Sequence, residues 1–147
     1  MKTLLVILQA VWLGAHITIG YVVAPMLFHF ADKGEYSRSI AGNIASELFH
    51  VLMYFGLFTA VVWWLFCRSV RQPSKILNVL LLLLLVSEWV ISPVIEAIKH
   101  KQSQWLYDLV GSSFGMWHGI SSSVYLLITL LLLLWTGKRL QINSQRR

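Results

Sequence analysis

Four apolar stretches dominate the sequence, and each is long enough to cross a bilayer. A hydrocarbon core of about 30 Å takes roughly 20 mostly apolar residues as a helix. The stretches run over residues 3–30, 41–67, 76–98 and 114–136, joined by short polar and charged segments. In lipid, every backbone N–H and C=O must be bonded within the protein, so spanning segments of this kind are helices. The expected fold class is therefore all-α: an integral membrane four-helix bundle forming a single transmembrane domain over residues 1–147. No period longer than the helices stands out, which argues against a solenoid.

Composition removes most other classes. Apolar residues make up 57% of the chain and charged residues 12%, whereas soluble domains run near half and about a quarter. A soluble enzyme and a disordered chain are both excluded. The net charge of +6 comes from 12 Lys and Arg against 6 Asp and Glu. These basic residues sit in loops and at span ends and form no nucleic-acid motif. The bilayer is the expected partner and nucleic acid is not. Cys67 is the only cysteine and implies no disulfide. The first residues resemble a secretory signal, but the apolar run continues to Phe30 without a convincing small-residue cleavage site, so an uncleaved first span is expected.

Lys and Arg counts set the expected orientation. Lys2, Arg68, Arg71, Lys75, Lys138, Arg139, Arg146 and Arg147 fall on one side. Lys33, Arg38, Lys99 and Lys101 fall on the other. Both termini are expected in the cytoplasm and the protein in the bacterial inner membrane. Trp63, Trp64 and Trp135 mark the inner boundary, and Trp105 and Trp117 the outer one. Helical spacing of Trp105, Leu106, Leu109 and Val110 suggests an interfacial helix over residues 103–112.

Polar residues inside lipid are costly, so their positions carry information. Helical spacing puts Gln9, His16 and Gly20 on one stripe of the first span. It groups Asn43, Glu47, His50 and Tyr54 on the second, and Glu88, Ser92, Glu96 and Lys99 on the third, beside an expected kink at Pro93. On the fourth, His118, Ser121, Ser122, Tyr125, Thr129 and Thr136 align. Gly111, Gly115 and Gly119 read as a close-packing face and a route to homo-oligomerisation or to a membrane-protein partner. Four such stripes are expected to meet in a polar seam open to the outside.

Three readings follow. In the first, Glu47, His50, Glu88 and His118 bind or pass a small ligand such as a metal ion, with Glu47 and His50 in the Glu-x-x-His spacing of metal-binding bundles. In the second, His16 and His50, at similar depth on facing helices, ligate the iron of a b-type haem. In the third, the stripes only hold helices together in a scaffold or assembly partner. Phosphate loops, His-Glu-x-x-His and Cys-x-x-Cys are missing, so no catalytic residues are assigned and an enzyme is not favoured.

The segments WLGAHITIGYVVAPMLFHF from Trp12, SIAGNIASELFHVLMYFGL from Ser39 and FGMWHGISSSVYL from Phe114 resemble bacterial relatives of transmembrane protein 205. The likeness covers about residues 10–130 and is most specific in the last segment. It implies a largely uncharacterised four-helix membrane protein, with Gly42, Leu48, Phe49, His118, Gly119, Ser121 and Ser122 on the family pattern. His16 and Glu88 are not placed on that pattern. A more remote similarity, in architecture and membrane histidines, is to CopD-type and HemJ-type membrane proteins.

Overall fold

The computed structural model describes residues 2–72, 74–100, 103, 105–106 and 113–144. Among the described residues there is no strand. Four helices are long and apolar enough to cross a membrane: Thr3–Asp32, Arg38–Ser69, Lys75–His100 and Phe114–Lys138. The expected all-α class of four spanning helices holds. The chain divides into two compact units, Met1–Pro73 and Ser74–Arg147.

The first unit is a helical hairpin. Its outgoing arm consists of α1 (Lys2–Thr18), a π turn at Ile19–Val23 and α2 (Ala24–Asp32), and its return arm is α3 (Arg38–Ser69). Local chemistry explains the turn between them. Gly34 takes a φ of +82°, a left-handed conformation that glycine adopts without Cβ strain. The N–H groups of Gly34 and Glu35 then bond the carbonyls of Ala31 (3.0 Å) and Phe30 (3.3 Å), satisfying the helix end. Tyr36 donates its hydroxyl to the Leu27 carbonyl at 2.9 Å. Ser37 caps α3 by accepting from the Ile40 N–H at 3.3 Å. An exposed Arg38–Asp32 ion pair at 2.6 Å closes the same corner. At the other end of α3, Arg71 holds a φ of 53° and Gln72 donates to the Cys67 carbonyl at 2.9 Å. This is the same termination, made without glycine.

Two contacts set the register inside the hairpin. The Trp63 indole donates to the Leu5 carbonyl at 3.1 Å. Trp12 lies against Gly56, where a Cβ would stand 2.6 Å from the indole nitrogen. The contacts are seven residues apart on each helix, Leu5 to Trp12 and Gly56 to Trp63. Extending this antiparallel register brings Gln9 level with Thr59 and His16 level with Leu52. All four of these residues are buried.

The second unit repeats the plan. Its outgoing arm is α4 (Lys75–Val86), a π turn at Ser87–Ile91 and α5 (Ser92–His100), and α6 (Phe114–Ser144) returns. Leu77, Leu80 and Leu84 form the buried stripe of α4, and Ile128, Leu132 and Trp135 that of α6. Ile91 and Val94 pack with Trp117. Ser74 caps α4 by accepting from the Leu77 N–H at 3.4 Å. A Ser74→Ala change is expected to lower stability by about 1 kcal/mol. Chemical unfolding in detergent measures it, and an unchanged midpoint would remove the cap from this account.

The interruption expected at Pro93 takes the form of the π turn just before it, and Pro25 is preceded by one too. Of the expected interfacial helix over 103–112, Trp105 and Leu106 are helical. Positions 104 and 107–112, with Leu109 and Val110, lie outside the described residues. So does Gly111 of the expected glycine face. Gly115 and Gly119 are exposed, and a Cβ on Gly119 would meet nothing within 4 Å, so neither is a close approach within this chain. The close approach is at Gly56, because there an indole presses on the helix backbone.

Candidate functional site

The polar residues of each helix fall on the faces that their spacing defines, but those faces do not all turn inward. On α1, Gln9 and His16 are buried, and His16 is 0% exposed near the middle of its span. On α3, Asn43, Glu47 and Tyr54 are exposed and His50 is half-buried. The reason is angular. At about 100° per residue, Glu47 lies on the opposite side of α3 from Gly56. The face turned to α1 is taken by Leu52, Gly56, Thr59 and Trp63. The small residues and the tryptophan decide which way α3 rolls, and the Asn43–Tyr54 stripe is left outside.

Glu88 is placed differently. It is the second residue of the π turn Ser87–Ile91 and is 6% exposed. Ser87 and Ile91 of the same turn are also buried. The extra residue of a π turn resets the angular phase of the helix beyond it. At the end of α5, Glu96 binds Lys99 at 2.7 Å and approaches His100 at 3.5 Å.

On α6 the expected stripe is only partly buried. His118 is exposed and stacks on Phe114, one turn earlier, with ring centroids 5.9 Å apart and planes at 12°. Ser121 is half-buried, Ser122 exposed and Thr129 buried. Several hydroxyls bond their own helix. Ser123 donates to the Gly119 carbonyl (2.9 Å), Thr129 to Tyr125 (2.9 Å) and Thr136 to Leu132 (2.8 Å). A hydroxyl that returns its proton to the preceding turn satisfies itself and needs no partner helix.

The tryptophans expected at the span boundaries differ in burial. Trp63, Trp117 and Trp135 are buried, so they are core residues as well as large ones. Trp105 stays exposed at 71%, and Trp64 lies under the Arg68 guanidinium at 4.9 Å. Burial of Trp12 and Thr59 was not signalled by any polar stripe. Trp12 Nε1 and Thr59 Oγ1 are both fully enclosed and without a hydrogen-bond partner among the described residues. Their only sequence signal is a helical step of four or three from other residues of the same face.

Among the described residues, no group of three His, Cys, Asp or Glu is gathered closely enough to hold a metal ion. Each unit carries its own ionisable side chains. The first holds His16, Glu47 and His50, and the second holds Glu88 and His118.

Four apolar spanning helices, with a buried histidine and a buried glutamate at mid-span, define a multi-pass α-helical membrane protein. The chain belongs to the family described as Domain of unknown function (DUF4149), which matches residues 7–104. No curated protein and no solved structure matches it.

Proposed function

We propose that this is a non-enzymatic membrane protein that binds or passes a small cation, a metal ion first of all, through histidine and glutamate side chains held at bilayer depth. The observation that carries the reading is the burial of His16 and Glu88 near the middle of their spans. An ionisable group at that depth costs roughly 3 kcal/mol on insertion scales and is by default a functional residue. Leucine at either place would carry no such cost.

Glu47 and His50 add a donor pair one turn apart on α3, and His118 a further imidazole on α6. These supply one or two ligands at a time, which suits transient coordination during passage more than a closed four-ligand site. The surplus of Lys and Arg on one side supports cytoplasmic termini in a bacterial inner membrane. The likeness of the Phe114–Leu126 region to relatives of transmembrane protein 205 belongs to this proposal. Association into homo-oligomers, or with another membrane protein, is part of it too.

Elemental analysis and calorimetry of the purified protein with copper, zinc, iron and manganese test the reading. Stoichiometric binding of one metal is expected, weakened about tenfold or more by alanine at His16 or His50, as loss of one ligand implies. No stoichiometric metal, or binding indifferent to His16→Ala, His50→Ala and His118→Ala, overturns it. The competing reading is an axial haem pair of His16 and His50, which stand two residues apart in level, although His50 belongs to the stripe that turns away from α1. A Soret band that shifts on reduction would select haem, and a colourless protein that takes up none on reconstitution would eliminate it.

A further inference from the structure

Pro25 and Pro93 stand 68 positions apart (25 to 93), and the backbone around them is built alike, a likeness longer than a helix that sequence periodicity does not display. Tyr21-Val22-Val23-Ala24 precedes the first and Trp89-Val90-Ile91-Ser92 the second. Each proline follows a five-residue π turn, Ile19–Val23 or Ser87–Ile91. Each turn is closed by the N–H of the next residue, Ala24 to the Ile19 carbonyl and Ser92 to the Ser87 carbonyl. Each is followed by a helix of nine residues, α2 or α5. The same offset carries Leu48-Phe49-His50 of α3 onto Met116-Trp117-His118 of α6. From these correspondences we infer that the chain is two versions of one jointed hairpin, and that α2 and α5 are levers that swing about the π turns.

The physical basis is the hydrogen-bond ladder. A spanning helix resists bending because every broken backbone bond in lipid costs several kcal/mol. Proline has no N–H to offer the preceding turn, so the ladder before Pro25 and before Pro93 lacks one ordinary rung. The π turn replaces i→i+4 bonds by wider i→i+5 bonds at the same place. Bending there meets a ladder that already lacks the proline N–H.

The two joints are held unequally. None of Ile19–Val23 is buried, so little packing restrains the first. Ser87, Glu88 and Ile91 are buried, and Ile91 packs with Val94 and Trp117, which restrains the second. The first lever also packs on α3, with Ala24 and Ala31 buried, and is tied at its far end to the turn by Tyr36 and to α3 by the Asp32–Arg38 pair, so its swing carries the start of α3 with it.

An ionisable residue sits at each joint. His16 lies one turn before the first, and Glu88 lies within the second. A swing of either lever changes how far that residue opens toward the loop end of its hairpin. This role in admitting a cation rests on the function proposed above, whereas the joint itself does not.

Hydrogen exchange of the full-length protein in lipid nanodiscs, without added metal, tests the joint. After correction for intrinsic rates, amides of 19–26 and 87–94 are expected to exchange about tenfold or more faster than those of the α1 and α4 segments before them, the first joint faster than the second. Pro25→Ala is expected to slow the first joint alone, and Pro93→Ala the second alone. Exchange at both joints as slow as in the flanking helices overturns the inference, as does indifference to both substitutions. The wild-type pattern decides by itself if a variant fails to fold. Since no cation enters the measurement, a failed metal titration leaves the joint standing, and flat exchange removes it whatever the titration shows.

Discussion

Gly56→Ala is expected to destabilise the first hairpin by about 1–3 kcal/mol, the range for forcing one extra carbon into a filled core. The new Cβ would stand 2.6 Å from Trp12 Nε1, 2.8 Å from Cε2 and 3.0 Å from Cζ2. These atoms belong to a rigid ring that is 0% exposed, so they cannot swing aside as the tip of a lysine would. Either α1 and α3 separate, loosening the Trp63–Leu5 bond one contact further along, or the indole leaves its rotamer. Gly119→Ala is the control, since nothing lies within 4 Å of its Cβ and the change trades glycine for a better helix former. Chemical unfolding of both variants in the same detergent gives the comparison. The double variant Trp12→Leu/Gly56→Ala should be more stable than the sum of the single losses implies, because the two residues share one space. A Gly56→Ala protein as stable as wild type would show that the contact does not hold the hairpin.

Glu88→Leu should act in the opposite sense. An ionisable side chain at the centre of a span costs roughly 3 kcal/mol on insertion scales, a cost that an apolar one of similar size does not carry. Glu88 is 6% exposed at mid-span, where the carboxyl is most costly. A rise in the unfolding midpoint together with a loss of cation binding is the expected pair of results. Glu88→Gln, which keeps the shape and much of the hydrogen bonding, should lose binding with little change in stability. A residue kept only to join helices would give the reverse, with Leu destabilising and binding untouched. The two readouts together separate a site residue from a structural one.

The spans were legible because lipid leaves the backbone a single solution. Expected and observed limits differ by no more than three residues at any end, for example 41–67 against Arg38–Ser69. The helices run past the apolar limits because they end at caps such as Ser37, Ser74 and Gly34, which hydropathy does not register. Pro93 announced an interruption. The form of that interruption, and its twin before Pro25, depend on hydrogen-bond spacing that no residue type spells out.

The stripes were legible only in part. Spacing correctly grouped Asn43, Glu47, His50 and Tyr54 on one face of α3, since residues three and four apart share a face. It could not say where that face points. Packing against α1 decides it, because Gly56 admits Trp12 and thereby turns the opposite side outward. For the same reason spacing does not tell that Trp63, Trp117 and Trp135, expected near the span boundaries, are also buried. An indole suits either place, provided its bulk is accommodated.

The amino-acid sequence by itself determined the class: four helices that cross a membrane, ended and capped by local chemistry. Hydropathy and hydrogen-bond satisfaction act along the chain and need no neighbour. Only the tertiary structure decided which ionisable residues are enclosed, His16 and Glu88, and which remain at the surface, Glu47 and His118. Enclosure is a property of two packed surfaces, and here it turns on contacts such as Trp12 against Gly56 that lie far apart in the chain.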